Sequence, residues 1–406
     1  MARRRLSPDC LALVRAVEEA VAAALRETGL ERIAVGLSGG PDSLALTAAL
    51  AWAAGFRPPS SGYEGPSPTG PGDHQRPPEP PSQPDTGRRQ ATVIKVRPKD
   101  AARSGGSGVS ARGGAGSDQS PPWTLERPAG PLAGAAIRVH IVDHGLQAGS
   151  AAAAGRAADQ ARRLGLDARV TRVRVVETGD GLEADARRAR YDALLSDQAE
   201  LVLVAHTLDD QAETVLLGLA RGSGVRSLAG MPPRLGRLVR PLLGLRREQT
   251  VRACRDWGLA PWLDPMNQDP RHTRVRLRHG LDALEAALGP GLPQALARTA
   301  ELARGDADLL DALAEEASAQ VAIGPGLGAA RLAALAPALR GRVILAWLRR
   351  QGSEAGLAQV QAVERLATAW RGQAGTDVPG GRVVRQDGRL LFRPGTGEGL
   401  PADQAD

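Results

Sequence analysis

Three short polar clusters carry the residue types that could do chemistry. The first is Ser38-Gly39-Gly40-Pro41-Asp42-Ser43. Glycines let a backbone approach a phosphate closely, and a helix that follows offers free N–H groups and the positive end of its dipole. Ser38 and Ser43 can donate to phosphate oxygens, and Asp42 can hold a magnesium ion. The spacing is not that of a Walker loop, which needs Gly-x-x-x-x-Gly-Lys-Ser/Thr. The second cluster, Asp143-His144-Gly145-Leu146, sets a carboxylate and an imidazole toward the same crevice, with a helix-capping turn as the alternative. The third is His206-Thr207-Leu208-Asp209-Asp210-Gln211-Ala212-Glu213. The steps from His206 to Asp210 and from Asp210 to Glu213 put all three side chains on one side of a helix start. Acids there suit the helix dipole. Acids turned into a phosphate crevice also need a cation, which magnesium or an amine substrate could supply.

Each cluster follows a short apolar run. Glu31 to Leu37 reads as a buried strand before the glycine loop, Ile137 to Val142 as a strand before Asp143, and Leu201 to Ala205 as a strand before His206. Helices are expected over 8–28, from the loop to about 54, and over about 150–164, 182–197 and 208–220, with another strand at 168–176. Strands alternating with helices imply an α/β fold, a parallel sheet with helices on both faces. Ligands bind beyond the carboxyl ends of such strands, where all three clusters fall. From about 246 the strand signal fades. Helical patterns recur at 246–258, 282–319, 331–350 and 355–371, followed by a small hairpin of Val383–Val384 and Leu390–Phe392 around Asp387-Gly388. The expected organisation is a catalytic domain over 1–245, a linker helix with an arginine-rich segment over 246–290, and a smaller, mainly helical domain over 291–406. Trp347 and Trp370 read as core residues of that last domain.

Composition narrows the partners. The chain has 406 residues and a formal charge of +7, and nearly all of its positive charge is arginine. A basic balance favours a polyanion such as nucleic acid. No apolar run approaches the roughly 18 residues of a membrane span, so no membrane is expected as partner. The start, Met-Ala-Arg-Arg-Arg-Leu, lacks the apolar stretch of a secretory signal. The isolated cysteines Cys10 and Cys254 suggest neither a disulfide framework nor a cysteine zinc site. A cytoplasmic protein is the expectation. Residues 57–136 hold 15 of the 30 prolines and show no sustained period. They read as a disordered insertion, with a short strand at Thr92–Val96. Arg234, Arg237, Arg240, Arg246 and Arg247 form one basic stretch and Arg271–Arg278 another, both suited to nucleic-acid phosphates or to a solvated face. His140, inside an apolar strand, reads as packed.

The glycine loop resembles the SGGxDS pyrophosphate loop of the ATP pyrophosphatases, which cleave ATP between its α and β phosphates. With the other motifs the resemblance narrows to the tRNA(Ile)-lysidine synthetase family. It rests on Val142–Leu146, Glu183–Tyr191, Ala205–Thr214, Arg240-Pro241-Leu242-Leu243, Asp264–Asp269 and the series Arg274, Arg276, Arg278. It implies a PP-loop catalytic domain that uses ATP and Mg2+ to adenylate the wobble cytidine of an isoleucine tRNA with a CAU anticodon. Free L-lysine then displaces AMP to give lysidine. It further implies that Ser38, Gly39, Gly40, Pro41, Asp42 and Ser43, with Asp143 and His144, meet ATP, and that Asp42 helps hold magnesium. Asp210 and Glu213 would hold the ammonium groups of lysine. His206 would sit near the reacting phosphate or base, Arg187 and Arg278 would reach the α-phosphate or base, and Arg274, Arg276 and Arg278 would meet tRNA. The resemblance allows a homodimer. Val275 stands where the family often has Asn, and the 57–136 insertion is not a usual family feature. The rival readings are a tRNA 2-thiolation enzyme, which generally needs paired or catalytic cysteines, a small-molecule amidating synthetase, and a non-catalytic tRNA-binding relative.

Overall fold

The computed structural model describes residues 6–28, 32–56, 132, 135–147, 149–179, 181–196, 198–222, 224–264, 271 and 273–395. All but a few residues of the 57–136 insertion, the Thr92–Val96 strand and the Pro265–Asp269 part of one motif lie outside them. Helix α1 (Pro8–Thr28) leads into β1 (Arg32–Gly36) and α2 (Pro41–Ala53). Then follow β2 (Ala136–Asp143), α3 (Ser150–Arg163), β3 (Asp167–Arg172), α4 (Leu182–Leu195), β4 (Leu201–Leu203) and α5 (Leu208–Ala220). A short α6 (Val225–Leu228) precedes the edge pair β5 (Arg234–Leu235) and β6 (Leu238–Val239).

These strands form one six-stranded sheet in the order β3-β2-β1-β4-β6-β5. All neighbouring pairs are parallel except the antiparallel β5–β6 pair at the edge. Ile33, Ala34 and Val35 of β1 are all buried, the unalternating pattern of a parallel strand covered on both faces. Helix α2 buries Leu44, Leu46 and Leu50 and nearly every residue between them, so it is apolar all round and lies inside rather than on the surface. Alanines 153, 154, 157, 158 and 161 form the buried stripe of α3; their small side chains let that helix approach the sheet closely. From β1 the chain winds outward to β2 and β3, then crosses back to β4 on the other side of β1. The strand order therefore reverses between β1 and β4. A crevice opens beyond the carboxyl ends of strands at such a point, and the glycine loop and the His206–Glu213 segment flank it.

Beyond the sheet come α7 (Arg247–Asp256), α8 (Thr273–Leu288), α9 (Leu292–Val321), α10 (Ala329–Ala334), α11 (Pro337–Arg350) and α12 (Leu357–Thr368). The expected helix over 282–319 is thus two helices, parted at Gly289-Pro290-Gly291, where both glycines have positive φ. The 331–350 pattern is broken before Pro337, whose ring cannot continue a preceding helix. The expected hairpin is present as β10 (Gly381–Gln386) and β11 (Arg389–Pro394). It is the centre of a five-stranded sheet with β7 (Ala322–Ile323), β8 (Gly326–Gly328) and β9 (Thr376–Val378), in the order β7-β8-β11-β10-β9. Val343, Ile344, Trp347, Leu348, Val363 and Leu390 pack in one core there. Trp347 is a core residue as expected, but Trp370 is 45% exposed and lies under the Arg385 guanidinium at 4.8 Å, a cation–π contact on the surface.

Gln211 of α5 ties the crevice to the chain that follows. Its Nε2 donates to the Met231 carbonyl at 3.0 Å and its Oε1 accepts from the Met231 amide at 2.8 Å. Gly230 beside it has φ +57°, and a Cβ there would lie 2.8 Å from Gln211 Oε1. Gly230→Ala is expected to cost about 1–3 kcal/mol, combining left-handed strain with a displaced buried amide. Urea unfolding checks this, and an unchanged midpoint would mean that the clamp yields freely.

Candidate active site

The glycine loop is built as its sequence suggests. Gly39 has φ +85°, which a side chain would resist. Gly40 is the N-cap of α2 without a side-chain cap, and Pro41 takes the first helical turn, where a missing N–H costs nothing. Ser43 Oγ accepts from the Ser38 amide at 3.2 Å, donates to the Gly40 carbonyl at 3.0 Å and lies 3.0 Å from Ser38 Oγ. The two hydroxyls thus stand together at an uncapped helix start, ready to turn toward an anion.

A strap from far along the chain holds this loop. The Trp262 amide donates to the Gly39 carbonyl at 2.9 Å. Two residues earlier, Ala260 is gripped at both backbone groups by the Gln160 amide of α3, at 2.8 and 2.9 Å. Gly39, Arg156, Gln160 and Trp262 line a cavity of about 390 Å³ beside the strap.

Asp42 projects from the first turn of α2 into a cluster of charge. Its Oδ1 accepts from the Thr250 hydroxyl, and its Oδ2 accepts from Arg247 Nε at 3.3 Å. The same guanidinium reaches Asp210 Oδ1 at 2.6 Å and lies 3.6 Å from Glu213 Oε1. Arg278 Nε donates to Glu213 Oε1 at 3.1 Å. Asp209 accepts from Arg246 Nε at 3.1 Å and from the Arg247 amide at 2.7 Å. Asp210 also closes a capping box, accepting from the Thr207 amide at 2.8 Å and the Thr207 hydroxyl at 3.0 Å. Its two oxygens therefore serve different masters, one the helix end and one the cation.

Burial pushes Asp42 above the ordinary carboxylate range, against the pull of Arg247 and Thr250. Glu213 is raised too, by burial and by the neighbouring Asp210 charge. Burial also opposes the Asp210 charge, but Arg247 and the Thr207 amide outweigh it and hold that carboxyl below its usual range. Asp210 is thus shifted down while Asp42 and Glu213 are shifted up, the split expected where like charges share a poorly solvated site. Glu213 Oε2 is buried without a hydrogen-bond partner. An orphaned carboxylate oxygen costs free energy until a donor reaches it, and an ammonium is a fitting one.

His206 stands apart from the acids. Its Nε2 lies 3.4 Å from the Tyr191 hydroxyl, which also accepts from Arg187 Nη2 at 3.4 Å. The Arg187 guanidinium is 5.1 Å from the centroid of the Tyr191 ring. His206 Nδ1 is buried without a partner. Burial pushes the imidazole down to about 4, with the Arg187, Arg240 and Arg274 charges adding and Asp210 opposing. The ring is therefore neutral at pH 7. A folded-state value below the ordinary 6.5 means that the unfolded chain takes the proton first, so stability is full above about 6.5 and is lost as pH falls toward 4. Between pH 7 and pH 5 the loss from this residue is about 2 kcal/mol. His206→Gln is expected to remove that part of the pH dependence, read by urea unfolding at the two pH values. Equal pH slopes in the two proteins would mean that the imidazole titrates normally.

The other expected residues are placed less centrally. Asp143 is buried and its Oδ1 accepts from the Gly145 amide at 3.0 Å, so it shapes the turn after β2. His144 Nδ1 accepts from the Leu146 amide at 3.4 Å, and burial with the Arg190 charge lowers its pKa. Arg274 and Arg278 lie four residues apart on one face of α8. Arg276 is on the opposite face and donates to the Arg271 carbonyl at 2.7 Å and to Thr273 Oγ1 at 3.1 Å. Val275 is buried. His140 is packed as expected, with Nε2 at 2.8 Å from Thr171 Oγ1.

The basic stretch Arg234–Arg247 does not form one phosphate-facing surface. Arg240 is buried and donates to the Pro232 carbonyl at 2.8 Å. Arg237 caps carbonyls of Ala199 and Leu195. Arg246 and Arg247 are consumed by the acids. Arg247, Thr250 and Tyr191 are the site residues that sequence reading missed. Tyr191 ends one of the motifs, Arg247 lay in a basic stretch and Thr250 in no motif, and each acts on residues distant in sequence.

Magnesium usually binds proteins through one or two carboxylates plus substrate phosphates. Asp42, 21% exposed at its side chain and beside the helix start, fits that donor set. Among the described residues no group of three His, Cys, Asp or Glu side chains is arranged to hold a metal by itself. No helix among them is long and apolar enough to cross a membrane.

Comparison with known proteins agrees with this architecture. Residues 121–284 match the PP-loop domain, and residues 327–391 match the TilS substrate binding domain. The first match begins inside the insertion, so the glycine loop on its far side stands outside it. A tRNA(Ile)-lysidine synthase of Leifsonia xyli is 50% identical over 278 residues, 66% of this chain and 83% of that one. Those of Mycobacterium bovis and Nocardia farcinica are each 52% identical, over 267 and 269 residues, and the matches cover 82% and 84% of their lengths. With identity of this order over most of those proteins, and with the loop, the acid-bearing helix and the following arginines set around one crevice, the chain belongs to the tRNA(Ile)-lysidine synthase family.

Proposed function

We propose that this protein joins free L-lysine to the wobble cytidine of an isoleucine tRNA with a CAU anticodon, in two steps at the one crevice. The observation that carries the reading is Glu213 Oε2, a buried carboxylate oxygen without a partner, beside the ionised Asp210 and next to a loop built for phosphate. That is a seat for an ammonium adjoining a seat for ATP.

In the first step the cytidine O2 attacks the α-phosphorus of ATP and pyrophosphate leaves. The loop Ser38–Ser43 and the start of α2 bind the phosphates. Arg187 and Arg278 stabilise the charge that develops at the α-phosphate. Magnesium, held by Asp42, would supply further charge neutralisation there. In the second step the lysine ε-nitrogen bonds to C2, the C2–O bond breaks and AMP departs. Asp210 and Glu213 hold and orient the amine, and a carboxylate beside it can accept the proton it sheds. His206, neutral at pH 7, can accept a proton at Nδ1 or a hydrogen bond from the base.

Arg274 and Arg278 meet the tRNA near the anticodon. The helices and sheet of 291–406 contact tRNA beside the catalytic domain of 1–245, against which α9 packs through Arg226–Asp308 and through Arg304 on the Met231 carbonyl. A homodimer and a cytoplasmic setting fit the family. The thiolation reading is weakened by the cysteines. Burial pushes the Cys254 thiol up to about 12, and it donates to the Pro41 carbonyl at 3.3 Å. Cys10 is buried and its thiol is raised as well. Neither is a ready nucleophile.

The test is incorporation of labelled lysine into a CAU isoleucine tRNA transcript, with and without ATP. ATP-dependent incorporation is expected. AMP transfer to tRNA without lysine incorporation would keep the first step and require another nucleophile.

A further inference from the structure

Arg247 joins two halves of the crevice that no other described side chain joins. Its Nε meets Asp42 on α2 at 3.3 Å, and its Nη2 meets Asp210 on α5 at 2.6 Å. Its Nη1 lies 3.6 Å from Glu213 Oε1. The residue is itself held at both of its backbone groups. Its amide donates to Asp209 Oδ2 at 2.7 Å, its carbonyl accepts from Thr250 Oγ1 at 2.7 Å, and that same hydroxyl donates to Asp42. One turn of α7 therefore grips the first turns of both α2 and α5.

A guanidinium is a rigid planar fork with five donors, and it fixes the spacing of the carboxylates it bridges. A lysine ammonium is a point charge on a flexible stem and cannot span the same three groups in one plane. The side chain is 21% exposed, so its ion pairs are only partly screened. We propose that Arg247 is the positioning residue that couples the nucleotide half of the site to the amine half, setting Asp42 against the Asp210–Glu213 pair. This rests on the two-step reading above. Arg247 need touch neither reacting centre. Its effect on both steps follows from the carboxylates it holds.

The signature is a simultaneous loss. Arg247→Ala is expected to slow two reactions together, each by about 100-fold or more. These are AMP transfer from α-labelled ATP to tRNA without lysine, and displacement of AMP by lysine from adenylated tRNA that the wild-type enzyme has already made. Millimolar guanidinium chloride is expected to restore both with the same concentration dependence, and urea, of similar shape but uncharged, is expected to restore neither. Loss of one step alone overturns the coupling. So does equal rescue by urea, or no rescue in a variant whose thermal midpoint matches wild type. If Arg247→Ala does not fold, Arg247→Lys keeps the charge and loses the fork. It is expected to raise KM for both ATP and lysine, and a rise in only one overturns the proposal. A wild-type protein that incorporates no lysine overturns the functional reading instead, before any variant is compared.

Discussion

An Asp210→Asn enzyme is expected to form adenylated tRNA and then stall, with lysine incorporation reduced by two to three orders of magnitude. Truncating one member of a buried, hydrogen-bonded charge pair costs about 2–5 kcal/mol, and each 1.36 kcal/mol is tenfold in rate. The helix survives the change, because the retained side-chain oxygen of Asn can still accept from the Thr207 amide, as Asp210 Oδ2 does at 2.8 Å. What is lost is the second anion facing the amine. The measurement is a split assay, AMP transfer to tRNA from α-labelled ATP beside lysine incorporation in the same preparation. If AMP transfer is lost as well, Asp210 serves the nucleotide, and the amine seat contracts to Glu213.

Asp42→Asn is expected to give the opposite pattern. AMP transfer to tRNA should fall by about 10²–10³, the range for removing one preorganised electrostatic partner of a transition state. Lysine binding should change by less than tenfold, because Arg247 keeps its bonds to Asp210 and Glu213. Folding should be little affected, since the retained side-chain oxygen of Asn can still accept from the Thr250 hydroxyl, as Asp42 Oδ1 does. Isothermal titration with lysine and the AMP-transfer rate together check it. An AMP-transfer rate near wild type, with only KM for ATP raised, would show that Asp42 serves to hold Arg247 rather than to assist at the phosphate.

These two residues were legible in the sequence because each sits in a run whose local geometry is fixed by its neighbours. Gly39 and Gly40 dictate the turn before Asp42, and the step from Asp210 to Glu213 dictates a shared helix face. Arg247 was not legible. Its type and its position in a basic stretch pointed outward to phosphate, and only the fold shows that it turns toward acids 205 and 37 residues away along the chain. Counting charge in a segment cannot tell an arginine facing water from one facing carboxylates. Tyr191 shows the same limit, since its partner His206 belongs to the next strand end.

The fold was legible to a similar depth. The alternation of buried strands and helices gave the parallel sheet, because each of β1, β2 and β4 is a local apolar run. The five-stranded C-terminal sheet was seen only as its central hairpin. Strands β7 and β8 have two and three residues, too short for a period, and β8 pairs with β11 about 60 residues later, through Arg389 opposite Gly328 and Leu390 opposite Leu327. The break between α8 and α9 was missed because apolar periodicity resumes in phase enough to hide two glycines.

The strap across the glycine loop bears on how the protein is made. Gly39 is fixed by Trp262, Asp42 by Arg247 and Thr250, and β1 is paired on both sides by strands that come later. A ribosome delivers the loop more than 200 residues before its last support. Domains otherwise tend to fold from the first-made end. Here the nucleotide site is among the earliest segments synthesised yet is completed only once Trp262 has been made, and a nascent chain halted before Trp262 carries the whole loop without the Trp262 contact that fixes Gly39.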